Sequence, residues 1–149
     1  MSEYCNLKNI IDKEEYHLVD GIDCSEVAED IYIKYKDNIL CGCKICTVCC
    51  GLEEKLYEFK FPFIDNTLNN YYYHTFVLYE GKENTYVVDF TTQDRLLKFS
   101  KFISLLKENN TKYEVYMWEG YFKNPMTYDG DSINKHIDKS ISNNRYKVY

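Results

Sequence analysis

Positive charge is in short supply in this chain. Its 149 residues hold 18 Lys and Arg against 24 Asp and Glu, a net charge of −6. An excess of acid disfavours a nucleic-acid phosphate backbone as partner. No apolar run approaches the about 18 residues that cross a bilayer, so no membrane partner is expected. The opening stretch, MSEYCNLKNIIDKEEY, lacks a basic segment followed by an apolar one, so no signal peptide is expected and the reading is cytoplasmic. Only two prolines punctuate the sequence, and there is no internal repeat. Histidine occurs three times. In a reducing compartment the seven cysteines act as thiols, metal ligands or nucleophiles rather than as disulfides.

What the chain does hold is aromatic. Sixteen tyrosines bring the aromatic share to 17%, which points to a packed, partly amphipathic interior rather than disorder. The length suits one domain that buries about two-thirds of its unfolded surface.

Periodicity places the elements. In DGIDCSEVAEDIYIKYKDN, Asp23 suits an N-cap with Glu26 three residues on. Cys24, Val27, Ala28, Ile31 and Tyr35 share one stripe, which predicts a helix over 24–36. ILCGCKICTVCC (39–50) is β-branched and cysteine-rich without helical spacing and reads as a strand, with another over 55–61. Residues 62–70 read as a loop, 92–110 as an amphipathic helix with Leu96, Phe99, Ile103 and Leu106 on its apolar face, and 112–118 as a strand. Residues 1–20 give weak helical or irregular signals. The domain is expected over 1–123, with 124–149 a loosely attached polar C-terminal extension. A helix followed by mostly antiparallel strands makes an α+β domain.

YYYHTFVLYEGKENTYVVDF (71–90) reads as a hairpin. Gly81-Lys82 suits a two-residue type II′ turn, which opposes position i to 163 − i and sets His74 directly across from Asp89. At the Cβ separation of about 4.5–5.5 Å typical of such pairs, the carboxylate fixes the ring and leaves the other nitrogen for chemistry. A five-residue turn would instead oppose His74 to Phe90 and put Asp89 on the other face. A strand histidine beside a carboxylate also reads as a satisfied polar pair. Cys24, in the first turn of its helix, stands where unpaired amides and the macrodipole favour a thiolate, although Asp23 opposes this. It starts the apolar stripe, so it also reads as a small buried hydrophobe.

Cysteine at a helix start, histidine on a strand and aspartate on the next strand follow the chain order of papain-like and transglutaminase-like enzymes. GIDCSEVAEDIYIKY resembles the catalytic-cysteine helix, and YYYHTFVLYEGKENTYVVDFT the histidine and aspartate hairpin, of compact papain-fold domains in bacterial toxins and effectors. The chain is also similar to arylamine N-acetyltransferases, where a YVVD-type strand follows a histidine strand. The resemblance covers about residues 20–110. It implies a catalytic helix packed on a mostly antiparallel sheet, with one further amphipathic helix. It also implies Cys24 as nucleophile, His74 as general base and Asp89 as orienting acid. The activity implied is thioester chemistry on a protein or peptide substrate, with protease, deamidase or transglutaminase outcomes and no cofactor. Asn6, His17 and Asp20 are the upstream polar candidates for an oxyanion hole, beside the Cys24 amide itself.

Two other readings stay open. One is a non-catalytic papain-like binding or immunity protein. The other is a cysteine-rich metal module built on Cys41, Cys43, Cys46 and Cys49, with Cys50 adjacent. On a strand, Cys41, Cys43 and Cys49 would project to one face and Cys46 and Cys50 to the other, which splits such a cluster. His17 and His136 sit in polar surroundings and carry no role. Trp118 and the tyrosine runs read as packing.

Overall fold

The computed structural model describes residues 2–18, 24–52, 55–57, 73–109, 114–120 and 146–148. They form an α+β domain in which helices cover both faces of one antiparallel sheet. Among them no helix is long and apolar enough to cross a membrane.

The chain opens with α1 (Glu3–Asp12), an element the sequence marks only weakly. Ser2 caps it, accepting from the Cys5 amide at 3.2 Å, and its buried residues are only Leu7 and Ile11, one turn apart. So narrow a stripe explains the faint signal. Helix α2 (Cys24–Tyr35) follows at the expected place and buries Val27, Ala28 and Ile31. Asp23, its expected N-cap, lies outside the described residues, as do the loop 62–70, Asp20 and His136.

The strands are β1 (Lys44–Leu52), β2 (Lys55–Tyr57), β3 (Tyr73–Glu80), β4 (Thr85–Val88), β5 (Leu96–Lys98), β6 (Val115–Glu119) and β7 (Tyr146–Lys147), with α3 (Phe99–Asn109) between β5 and β6. The sheet order is β5-β4-β3-β1-β6-β7, and β2 pairs with the far end of β1. β1 begins five residues later than the expected 39, because residues 36–42 turn after α2, with Gly42 in the left-handed region at φ 84°. Leu96 belongs to β5, not to the expected helix over 92–110. Leu96 and Leu97 are neighbours that bury against opposite faces, a pattern only a strand produces. Phe99, Phe102, Ile103 and Leu106 then carry the helical stripe of α3. Near the C-terminus, Tyr146 and Lys147 pair with β6, so that part of the expected loose extension is a sheet edge.

Alternation along β3 separates two cores. Val77 packs with Val27 and Ile31 under α1 and α2, while Phe76 and Leu78 pack with Phe102 and Leu106 under α3. The β3–β4 pairs sum to 165, not the expected 163: Val77 opposes Val88 and Glu80 opposes Thr85. The loop is therefore Gly81–Asn84, closed by the Gly81 amide on the Asn84 carbonyl at 2.9 Å. Glu3 of α1 accepts from the Lys82 and Glu83 amides at 2.7 and 3.1 Å. A Cβ on Gly81 would fall on that carboxylate, so glycine serves close approach here rather than the type II′ conformation expected of it.

Candidate active site

Asp89 stands just past the end of β4, where the chain leaves the ladder in a side-chain-stabilised turn. One carboxylate oxygen, Oδ1, accepts from the Thr91 amide at 2.9 Å and the Thr91 hydroxyl at 2.7 Å. Its backbone is tied as well: the Asp89 amide donates to the Arg95 carbonyl at 2.9 Å, and the Thr92 hydroxyl donates to the Asp89 carbonyl at 2.8 Å. Aspartate two residues before a threonine is an Asx-turn signal that sequence reading missed in DFTT. Arg95 anchors the turn to the end of α1 through the Glu14 carbonyl at 2.6 Å, and its guanidinium lies 4.6 Å over the Phe90 ring.

The second oxygen, Oδ2, lies 2.5 Å from His74 Nε2, with both side chains almost wholly enclosed at 1% and 2% exposure. The sequence reading thus pairs the right residues in the wrong register. A shift from 163 to 165 sets Asp89 across from Phe76, one same-face step from His74. A shift of two residues keeps the face, and the diagonal neighbour still reaches. His74 also stacks beside Phe76, ring centroids 6.2 Å apart.

Cys24 opens α2, the end at which the macrodipole favours a thiolate. Its Sγ accepts from the Thr75 amide at 3.4 Å. In the β3–β4 register residue 75 would oppose Phe90, but β4 ends at Val88 and the Asp89 turn diverts the chain. The sulfur thus stands where the next ladder acceptor would be. That amide is bonded to the His74 carbonyl carbon, which puts the sulfur within about 6 Å of the His74 Cα. Thr75 lies on the α2 face of β3, and His74 lies on the opposite face beside Phe76. Cys24 is itself 6% exposed.

Of the expected oxyanion candidates, Asn6 and His17 are exposed, Asn6 on α1 and His17 beyond its end. The cysteines after α2 disperse. Cys41 is exposed in the turn, Cys43 buries with α2, and Cys46 buries toward α3. Burial pushes the Cys43 thiol up to about 11 and the Cys46 thiol up to about 12, so both are protonated near neutrality. Among the described residues no three His, Cys, Asp or Glu side chains are grouped to hold a metal ion. The side chain of Cys50 lies outside those described.

Comparison with protein-family models, with curated proteins and with solved structures returns no match.

Proposed function

We propose that the chain is a papain-like cysteine hydrolase or acyl-transfer enzyme acting on a protein or peptide substrate. The observation that carries this reading is the enclosed His74–Asp89 pair, 2.5 Å apart, with the Cys24 sulfur on the next amide along the same strand. Asp89 accepts a hydrogen bond from the Nε2–H of His74 and orients the ring. Nδ1, the ring nitrogen nearer the main chain where the sulfur lies, takes the thiol proton. The thiolate attacks a carbonyl carbon, and the tetrahedral adduct collapses to a Cys24 thioester. The leaving amine departs with the proton from His74. Water then gives proteolysis or deamidation, and a second amine gives transamidation. The free thiols fit a reducing, cytoplasmic setting.

A second reading rests on burial. Side chains of Cys24, His74 and Asp89 exposed by only 6%, 1% and 2% also suit a non-catalytic binding or immunity protein of the same fold, in which the pair braces the hairpin.

Limiting iodoacetamide separates the two. Cys5 and Cys41 are exposed and are first changed to serine, removing labels that report only access. In that background Cys24 is modified ahead of Cys43, Cys46 and Cys49, and His74→Ala slows it by roughly 10²-fold or more. Labelling that starts in the buried cluster, or an unchanged rate in His74→Ala, removes Cys24 as nucleophile.

A further inference from the structure

A buried line of hydroxyls runs from the start of α2 across the sheet. Thr47 Oγ1 donates to the Gly120 carbonyl at 2.6 Å. With its one proton committed there, Thr47 accepts from Thr75 Oγ1, 3.0 Å away, and Thr75 in turn accepts from Ser25 Oγ at 3.5 Å. The direction is fixed at every step. Ser25, Thr47 and Thr75 are 4% exposed or less. Burying hydroxyls among apolar side chains is costly unless each is bonded, and here each is. The end of the line is also held. Gly120 sits at φ 110°, a conformation that favours glycine, and its amide donates to the Ile45 carbonyl at 2.8 Å.

Thr75 thus grips two successive residues of α2 by different atoms, Cys24 through its amide and Ser25 through its hydroxyl. The grip spans four elements: α2, β3, β1 and the end of β6.

We propose that Thr75, braced by Thr47 and the Gly120 carbonyl, is a positioning residue that seats Cys24 at the flank of His74. This rests on the reading of Cys24 as nucleophile and adds the device that sets its geometry. The Thr75 amide on the Cys24 sulfur and the Ser25 hydroxyl on Thr75 restrain the first turn of α2 at two points, beside the packing of Val27 and Ala28. Losing one of the two points lets the sulfur shift, and displacements of about 1 Å in a reacting group cost up to 10²-fold in rate.

The test is the pH–rate profile of Cys24 alkylation by iodoacetamide in the full chain carrying Cys5→Ser and Cys41→Ser. Thr75→Val and Thr47→Val keep the shape and delete the hydroxyl, while Thr75→Ser keeps the hydroxyl. Each valine variant is expected to slow alkylation near pH 7 by about 3–30-fold and to move the profile to higher pH. Thr75→Ser is expected to restore the wild-type profile within about twofold. Loss of packing alone would not be rescued this way, nor would it move the pH dependence of a folded protein. Thr47 acts at one remove, through Thr75, so Thr47→Val and Thr75→Ser decide the matter if Thr75→Val fails to fold. Profiles that superimpose on a reactive wild type overturn the positioning role and leave the nucleophile standing. A wild-type Cys24 that reacts only in urea overturns both together.

Discussion

Replacing Asp89 by asparagine removes one charge and almost no volume. Oδ1 accepts from the Thr91 amide as well as the Thr91 hydroxyl. The amide cannot turn round, so the asparagine must place its oxygen there and its NH₂ toward His74. Nε2, a donor to the carboxylate, now faces a donor, and the ring has to move its proton to Nδ1 to accept. The variant loses a charge-assisted bond worth about 1.5–3 kcal/mol and regains a neutral one worth about 1 kcal/mol. The net cost is about 1–2 kcal/mol, a fall of about 2–8 °C in melting temperature for a chain of this size. Asp89→Ala strands the Thr91 amide, the Thr91 hydroxyl and His74 together and is expected to cost about 3–5 kcal/mol. Nitrogen-15 NMR of the imidazole reads the tautomer directly, with the proton on Nε2 in the wild type and on Nδ1 in Asp89→Asn. The same change puts the proton on the nitrogen that must receive one from Cys24. Alkylation of Cys24 should therefore fall by roughly 10–10³-fold, less than the about 10⁴ of a serine triad. Unchanged tautomers with superimposable melting curves would mean that the two side chains do not share a proton, and the reasoning would be wrong.

Other outcomes follow from the packing. Cys46→Ser exchanges a thiol for a hydroxyl in the core under α3 and should destabilise by about 1–3 kcal/mol in urea titrations. Stoichiometric zinc in the wild type, lost with folding in this variant, would favour the metal module. Glu14 accepts from Lys34 and from the Tyr35 hydroxyl, and these bonds hold its carboxyl below the usual 4.5. Its stabilisation is complete above that value and lost as pH falls through the lowered one. Melting temperatures of wild type and Glu14→Gln should therefore differ at pH 7 and converge in acid, and a gap that persists in acid would refute the assignment.

Legibility in the sequence followed the length of each pattern. The stripe from Cys24 through Val27, Ala28 and Ile31 to Tyr35 spans several turns and placed α2 within a residue or so, and the alternation on either side of residues 81–84 placed β3 and β4. Leu96 fits a helical count by accident of spacing from Phe99, and only the burial of Leu97 on the opposite face exposes the strand. Residues 39–42 look β-prone in composition yet turn, because Gly42 and the Cys43 amide on the Leu40 carbonyl close the chain there. Asp89 and His74 could be paired from parity alone. Thr91, Thr75, Thr47 and Ser25 could not be singled out, since threonine is an ordinary strand residue until its hydroxyl is seen to be enclosed.

The two-residue offset in the β3–β4 hairpin bears on how such a site tolerates change over time. Facing in a strand depends on odd and even, so a loop that gains or loses residues in pairs returns His74 to the side on which Asp89 waits. A slip of β4 by one residue against β3 would send every side chain after the loop through to the wrong core, dropping Asp89 among the residues under α2. A register slip that keeps the pair is thereby confined to even steps. The spacing between the histidine and the aspartate is a looser constraint than its parity.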